Sequence, residues 1–255
     1  MYIKNKVSVI IATLNCEKTI EQAINSSLCQ NYENLEVIIA DGGSVDGTID
    51  IVKSFKNKNL IKLIGKDNGI YDAWNKSINI SSGEWVCFIG GDDYWLNSNC
   101  ISSLIINSKN ANFISAKVKI FNELTKRSEI IGKKFDKKKI LKGMFVAHPG
   151  SLHHINLFEE KKFKNCYKIS ADHEFLINVR GKIMANFLNE QIVCMRDGGV
   201  SRKKPFLAFY ESFCAIKSNV DYGIFYAFKF YLFIVIKFII RRFINLIIEK
   251  FKRKN

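Results

Sequence analysis

The sequence predicts an α/β protein with a mixed central sheet, and three observations support this prediction. Apolar runs rich in Val and Ile alternate with helical periodicity between residues 6 and 89, which is typical of parallel strands joined by crossover helices. Acidic, glycine-containing turns follow two of these runs. The chain has 255 residues, 47% of them hydrophobic, so it can bury one full core. We therefore expect one domain with a C-terminal extension.

The first strands are predicted from short apolar runs, and the helices between them from apolar residues three or four positions apart. The strands cover residues 7–12, 35–40, 60–64 and 85–89. The helices follow Ile20, Ala23, Ile24 and Leu28, then Ile49, Val52 and Phe55, then Ile70, Ala73, Trp74 and Ile78. Because Trp74 shares a helical face with Ile70 and Ile78, we expect it in the core.

The chain then continues with a further helix, for which Ser98 is the expected N-cap. Apolar residues at helical spacing follow it at Ile101 and Leu104. Residues 112–121 and 128–131 predict an antiparallel extension of the sheet.

The tail has a different character, so we expect a domain over residues 1–205 and a basic, aromatic helical tail over 206–255. From 223 to 240 only Lys229 and Lys237 interrupt an apolar run, which approaches the ~20 residues that a membrane span needs. The polar residues Lys237, Arg241, Asn245 and Lys252 fall roughly on one helical face. This pattern predicts an amphipathic helix on an anionic membrane surface. The alternative is a helix packed on the domain with a solvated basic face.

The composition argues against several classes of protein. A net charge of +15 favours an anionic partner, but no helix-turn-helix, zinc-finger or RNP-like pattern accompanies it, so we expect no nucleic acid. The seven cysteines are odd in number and never spaced Cys-x-x-Cys, which argues against a disulfide framework and a zinc site. The apolar run 7–12 is too short for a signal peptide. We expect a cytoplasmic protein.

Two acidic turns follow apolar runs that are predicted strands. Asp41 ends the run that begins at residue 35, and Asp92 and Asp93 follow the run that ends at residue 89. Ligands of open α/β sheets bind beyond the carboxyl ends of the strands. Three carboxylates beside glycines at that edge predict a site for a metal ion and a nucleotide.

Four segments of the first hundred residues resemble family 2 glycosyltransferases of the GT-A fold in their order and spacing. They are Val7-Ser8-Val9-Ile10-Ile11-Ala12-Thr13-Leu14-Asn15, Asp41-Gly42-Gly43-Ser44-Val45-Asp46-Gly47-Thr48, Asp67-Asn68-Gly69-Ile70-Tyr71-Asp72-Ala73-Trp74-Asn75-Lys76 and Gly91-Asp92-Asp93. The resemblance covers about residues 6–205. It implies a Rossmann-like nucleotide-diphospho-sugar transferase domain.

The resemblance implies a donor site around the acidic turns. Asp41 would accept hydrogen bonds from the uracil or the ribose. Asp93 would bind Mg²⁺ or Mn²⁺ directly, and Asp92 would contact the sugar, or the metal through water. The nucleotide-sugar site would further include Ala12, Thr13, Leu14, Asp67 and Gly69. Because the acidic motif departs from a strict Asp-x-Asp spacing, the assignment of the direct ligand is open between the two acids.

The general base is expected farther along the chain, in residues 169–175. This segment resembles the part of the family that carries the base, which implies that Asp172 deprotonates the acceptor hydroxyl. Glu174 is the second candidate, as an acceptor contact, and His148 lies in a loop that would border the acceptor. His173 is equally compatible with a structural role.

These features together imply an inverting glycosyltransferase. It would move a sugar from a nucleotide-diphosphate donor, a UDP-sugar first of all, to a saccharide acceptor. A basic tail suits a lipid-linked acceptor in bacterial surface polysaccharide assembly, at the inner face of the cell membrane. Two alternatives stay open: a nucleotidyltransferase, whose glycine-rich basic loop is absent at residues 12–15, and a non-catalytic membrane-associated module that binds nucleotide or saccharide.

Overall fold

The computed structural model describes residues 2–219, 228–229, 231–233, 235–236 and 238–240. The strands are β1 (Ile3–Thr13), β2 (Leu35–Asp41), β3 (Leu60–Ile64), β4 (Gly83–Gly90), β5 (Tyr94–Trp95), β6 (Phe113–Phe121), β7 (Ser128–Ile131), β8 (Leu152–His154) and β9 (Ala185–Arg196). The helices are α1 (Ile20–Leu28), α2 (Thr48–Ser54), α3 (Ile70–Ile80), α4 (Cys100–Ile106), α5 (Ala171–Val179), α6 (Val200–Lys203) and α7 (Pro205–Asn219).

One mixed sheet runs through the domain in the order β3-β2-β1-β4-β8-β6-β9-β5, and β7 pairs with β6. The first four strands in this order are parallel to one another. Strand β8 is antiparallel to both β4 and β6, whereas β6 and β9 are parallel. The predicted α/β class with a mixed central sheet is confirmed.

The sheet has an apolar core on each face because neighbouring residues of a strand point to opposite sides. In β1, Ile10 and Ala12 pack with residues of α3, α5 and α7. Val9 and Ile11 pack on the other face, with residues of α1, α2 and α4. The helices therefore cover both faces and leave the carboxyl ends of the parallel strands free for a site.

Most of the elements agree with the sequence predictions. The four predicted N-terminal strands are present, and three of them extend beyond the predicted bounds. The predicted antiparallel extension is confirmed by β6 and β7, and Trp74 is buried as expected. The prediction of Ser98 as N-cap is wrong, because Asn99 occupies that position and the Ser98 hydroxyl instead accepts a hydrogen bond from the Asn31 side chain.

Helix α7 packs on α5, so the first turns of the predicted tail lie against the domain. Ala215 and Ile216 of α7 are fully buried in the core. The expected basic face of the tail, at Lys237, Arg241, Asn245 and Lys252, lies outside the described residues. In the part of the chain that the structure describes, no helix is both long and apolar enough to cross a membrane.

Candidate functional site

The two acidic turns are attached to successive carbonyl groups at the end of β1. The amide N–H of Gly91 donates to the Ala12 carbonyl at 2.9 Å, and that of Gly42 donates to the Thr13 carbonyl at 3.0 Å. The turns that follow β2 and β4 are thus fixed on either side of β1, between its two parallel neighbours. This arrangement brings together the acidic residues that the sequence placed at a common edge.

Asp41 is buried, and its carboxylate shapes the turn in which it lies. Oδ1 accepts from the amides of Gly43 and Ser44 at 2.9 and 2.8 Å, and Oδ2 accepts from the Ser44 hydroxyl at 2.6 Å. That hydroxyl also accepts from the amide of Asn15 at 2.8 Å. Asp41 therefore fixes the loop after β2 against the loop after β1, and its contact with a nucleoside stays a prediction.

Asp67 and Gly69 adjoin the Asp41 turn. A Cβ on Gly42 would lie 2.7 Å from Oδ2 of Asp67, so the glycine lets that carboxylate lie close to the turn. Asp67 Oδ1 accepts from the Gly69 amide at 2.8 Å. The amide of Gly65 donates to the Asp41 carbonyl at 3.1 Å. The loop between β3 and α3 therefore extends the same wall of the site.

The carboxylates of Asp92 and Asp93 converge beside Gly90. A Cβ on Gly90 would lie 2.6 Å from Oδ1 of Asp92 and 3.1 Å from Oδ2 of Asp93, and the Gly90 amide donates to that Oδ2 at 2.9 Å. Burial and the negative charge of Asp92 raise the pKa of Asp93 to about 8. The pair lies at the point where β1 holds the turn, so a positive ligand there would relieve their repulsion.

These two acids offer the carboxylate oxygens that a divalent cation prefers as ligands. Within the described residues, no group of three His, Cys, Asp or Glu side chains could enclose a metal ion. Mg²⁺ commonly uses one or two carboxylates and takes its other ligands from phosphate oxygens and water. Asp92 and Asp93 therefore fit a metal site whose other ligands would come from water or from a phosphate group.

The remaining residues predicted for the nucleotide site, Ala12, Thr13 and Leu14, lie at the end of β1 and directly after it. Thr13 is buried, and its hydroxyl has no hydrogen-bond partner within the described part of the chain. A Cβ on Gly91 would lie 2.5 Å from that hydroxyl oxygen, so the two are in close contact. The next residue, Leu14, is 56% exposed. Thr13 thus lies beneath the acidic turn and Leu14 at the open edge.

Arg196, at the end of β9, is a member of the site that the sequence reasoning missed. Its guanidinium donates to the Asp92 carbonyl at 2.5 Å, to Gln22 at 2.6 Å and to Glu123 at 2.7 Å. It also lies over the Tyr94 ring. The only signal in the sequence was a basic residue directly before the Asp197-Gly198-Gly199 turn. Arg196 places a positive charge beside the two acids.

Asp172 lies in the first turn of α5, near the start of α3. The hydroxyl of Tyr71 is 2.5 Å from the Ile169 carbonyl and 3.3 Å from Oδ1 of Asp172. The Lys168 ammonium donates to the Asn68 carbonyl at 3.3 Å. Burial raises the pKa of Asp172 to about 6. The segment that leads to Asp172 therefore contacts the Asp67–Gly69 turn through Lys168, and the role of Asp172 as a base stays a prediction.

The two acceptor candidates, Glu174 and His148, lie in the core. Glu174 is buried and pairs with Lys164 at 2.6 Å and with Asn178 at 2.6 Å. His148 stacks against Trp74 and Phe88 with ring centroids 5.2 and 5.4 Å apart. Burial lowers the pKa of His148 well below its ordinary value. Their burial favours structural roles, so contact with an acceptor stays a prediction that these positions do not support.

His173, the neighbour of Asp172, also points into the core. It is almost fully buried, and its Nε2 lies 2.7 Å from the Ile140 carbonyl. These contacts favour the structural role that the sequence left open for this histidine.

The sequence was compared with family models and with known proteins, and it matches both. A family model described as glycosyl transferase family 2 matches residues 8–164. The chain is 40% identical over 93 residues to the Escherichia coli protein "UDP-Glc:alpha-D-GlcNAc-diphosphoundecaprenol beta-1,3-glucosyltransferase WfaP", covering 35% of the chain and 36% of that protein. It is 28% identical over 199 residues to "Glycosyltransferase GlyA" of Streptococcus pneumoniae, covering 75% of the chain and 26% of that protein. The chain thus spans about a third or less of these relatives.

Solved structures show the same fold at low sequence identity. Residues 1–349 of Staphylococcus aureus TarS match with a TM-score of 0.66 and 20% identity, over 89% of this chain and 69% of that one. The Pyrobaculum calidifontis mannosyltransferase PcManGT, in complex with GDP-Man and Mn²⁺, matches with a TM-score of 0.64 and 17% identity, over 89% and 69% of the two chains. The predicted GT-A fold is confirmed by these likenesses.

Proposed function

Because the chain belongs to glycosyl transferase family 2, we propose that it transfers a sugar from a nucleotide-diphosphate donor to a saccharide acceptor. The observation that carries this proposal is the attachment of both acidic turns to adjacent carbonyls of β1. In the proposed complex, the Asp41 turn would border the nucleoside and the Asp92–Asp93 turn would border the diphosphate. A UDP-sugar is the first donor to test, since the name of the relative WfaP includes UDP-Glc.

A divalent metal ion is part of this proposal. Asp93 would hold Mg²⁺ or Mn²⁺, and Asp92 would support it or contact the sugar. Such an ion neutralises charge on the leaving nucleoside diphosphate. The convergence of the two carboxylates beside Gly90 supports this role, as does the Mn²⁺ in complex with PcManGT and with a Mycobacterium tuberculosis neighbour.

Asp172 is the general base of the proposed reaction. It takes the proton of the acceptor hydroxyl while that oxygen attacks the anomeric carbon. The bond between the anomeric carbon and the diphosphate breaks, and its electron pair leaves with the nucleoside diphosphate. A single in-line displacement of this kind inverts the anomeric configuration. The pKa of Asp172, raised to about 6 by burial, suits a base that works near neutral pH.

The proposed acceptor is a lipid-linked saccharide of bacterial surface glycan assembly, used at the inner face of the cell membrane. The name of the relative WfaP includes a diphosphoundecaprenol-linked GlcNAc. In this chain, the exposed Lys203 and Lys204 lie beside α7, where Phe206 and Tyr210 are 50% and 55% exposed. Exposed aromatic residues next to basic ones suit an anionic lipid surface.

A vesicle experiment tests the membrane contact. The variant with Phe206→Ser and Tyr210→Ser is expected to bind vesicles of anionic phospholipid about tenfold more weakly, because two apolar groups no longer enter the bilayer. Ile106→Ser is the matched control, since Ile106 is 79% exposed in α4. Equal vesicle binding by the unaltered chain and the double variant contradicts the proposed contact.

The reaction itself is tested by screening nucleotide sugars for thermal stabilisation and for metal-dependent hydrolysis. We expect a UDP-sugar to stabilise the chain in the presence of Mn²⁺, and expect this donor to be used for transfer. Transfer is expected to fall about 10²-fold or more in Asp172→Asn. Full transfer by both Asp172→Asn and Asp93→Ala contradicts the assigned roles.

A further inference from the structure

Glu211 in α7 is a buried carboxylate bound to the backbone directly before α5. Its Oε1 accepts from the Lys168 amide at 2.8 Å, and its Oε2 accepts from the amides of Ile169 and Ser170 at 2.8 and 2.9 Å. Only 6% of the residue is exposed. The carboxylate of Glu211 therefore satisfies three backbone donors of the segment that leads into α5.

These hydrogen bonds fix the chain immediately before Asp172. Ser170 is the N-cap of α5, and Asp172 is the second residue of the helix. From the opposite side, the Tyr71 hydroxyl contacts the Ile169 carbonyl at 2.5 Å. The segment 168–170 is therefore held between α3 and α7, and the carboxylate of Glu211 accepts three hydrogen bonds from its backbone.

One further hydrogen bond joins α7 to this segment, because the Ser170 hydroxyl donates to the Ala208 carbonyl at 3.2 Å. The remaining contacts of α7 reach α5 beyond this segment. The Ser212 hydroxyl lies 3.3 Å from Nδ1 of His173, and Ala215 and Ile216 are fully buried. These groups stabilise the packing of the two helices. The effect of Glu211 on Asp172 can therefore be separated from the effect of α7 on the stability of the domain.

We propose that Glu211 is a positioning residue that holds Asp172 in place for proton abstraction. This inference rests on the role of Asp172 in the proposed function. Without the carboxylate of Glu211, three backbone N–H groups lose their partner, that of the buried Ser170 among them, and the first turn of α5 relaxes. A catalytic group displaced by about 1 Å can lose about 10²-fold in rate.

Glu211 also affects the titration of Asp172. Within the described part of the chain, the titratable groups that face Asp172 are Tyr71 from α3 and Glu211 from α7, and the charge of Glu211 raises the pKa of Asp172. Removing that charge lowers the pKa of Asp172, so the pH at which transfer falls on the acid side should move downward. A residue that only stabilised the fold would leave this pH unchanged.

The test compares Glu211→Gln, Glu211→Asp and the control Ser212→Ala. The first substrates are UDP-glucose and a synthetic lipid-diphosphate-linked GlcNAc, replaced by the active pair if the donor screen gives another. For Glu211→Gln we expect kcat about 10²-fold lower, an acid limb at lower pH and unchanged UDP affinity. For Glu211→Asp, which keeps the charge but withdraws the carboxylate, we expect a lower kcat and an unshifted limb. Ser212→Ala should have the kcat and the acid limb of the unaltered chain.

The inference is overturned if Glu211→Gln keeps the kcat and the acid limb of Ser212→Ala. If Glu211→Gln does not fold, Glu211→Asp decides by the same comparison of kcat. The variant Asp172→Asn distinguishes a failure of the positioning role of Glu211 from a failure of the proposed function. If Asp172→Asn is inactive while the Glu211 variants are normal, only the positioning role fails. If Asp172→Asn transfers sugar at the full rate, Asp172 is not the general base of the proposed reaction.

Discussion

The carboxylate of Asp172 gives the proposed reaction a pH dependence at the scale of single residues. A general base must be unprotonated, and burial raises the pKa of Asp172 to about 6. We therefore expect kcat/KM to fall about tenfold per pH unit below pH 6 and to be level above it until another group titrates. A pH series of transfer rates at saturating metal measures this limb.

Tyr71→Phe also tests the assignment of Asp172 as the general base. It should shift the acid limb of the pH profile in the direction opposite to the shift expected for Glu211→Gln. The Tyr71 hydroxyl next to Asp172 favours the ionised carboxylate, so its removal should move the acid limb to higher pH. A phenylalanine keeps the ring in its contact with Trp74. An acid limb that stays in place in Tyr71→Phe, or that lies near the ordinary pKa of Asp in the unaltered chain, contradicts the assignment of Asp172.

At the scale of elements, the turn after β4 depends on close contact with the end of β1. A Cβ on Gly91 would lie 2.5 and 2.8 Å from Oγ1 and Cβ of Thr13. Gly91→Ala should therefore displace the Asp92–Asp93 turn, lower the free energy of unfolding by about 1–3 kcal/mol and weaken metal-dependent UDP binding.

Gly65→Ala is the matched control, because a Cβ at that position meets nothing within 4 Å. Thermal unfolding and UDP titration compare the two variants. If Gly91→Ala matches Gly65→Ala in both measurements, the close contact between the turn and β1 does not shape the site.

The same elements explain what the sequence could predict. The strands and their acidic turns follow from local patterns, so β1, β2 and β4 and the positions of Asp41 and Asp93 were predictable. The partners of these turns come from distant parts of the chain. Arg196 is 104 residues from Asp92, and nothing in the local pattern around Arg196 indicates that pairing.

The sequence also did not predict which polar side chains of the site are buried. Asp-Gly-Gly-Ser predicts an acidic turn, but not that Asp41 directs its oxygens to Gly43 and Ser44. Likewise, His148 follows a loop pattern that suggested contact with an acceptor, yet its ring stacks inside the aromatic core. Whether a polar side chain supports a loop or faces a ligand depends on tertiary packing.

At the scale of the whole molecule, the buried histidines make stability depend on pH. Burial lowers the pKa of His148 well below its ordinary value and that of His153 to about 3. The unfolded chain binds protons at these residues below about pH 6.5, whereas the folded chain does not. Their contribution to stability is therefore lost as the pH falls below about 6.5. Asp172 and Asp93, whose pKa values are raised, act in the opposite direction.

A comparison with His148→Phe isolates one histidine, because the contributions of the carboxylates are common to both chains. Between pH 7 and pH 5 the unaltered chain should lose about 2 kcal/mol more of its free energy of unfolding than the variant. Denaturant unfolding at each pH measures this difference. Parallel pH dependences in the two chains would mean that His148 titrates normally in the folded state.

The central claim is that the two acidic turns on β1 form one site for a nucleoside diphosphate and its metal ion. Calorimetric titration of UDP with and without Mn²⁺ tests this claim most directly. The unaltered chain should bind UDP more tightly with Mn²⁺, Asp93→Asn should lose at least about tenfold of that affinity, and Asp50→Asn, at an exposed position in α2, should not change it. Equal UDP affinity of the unaltered chain and Asp93→Asn in Mn²⁺ would contradict the claim.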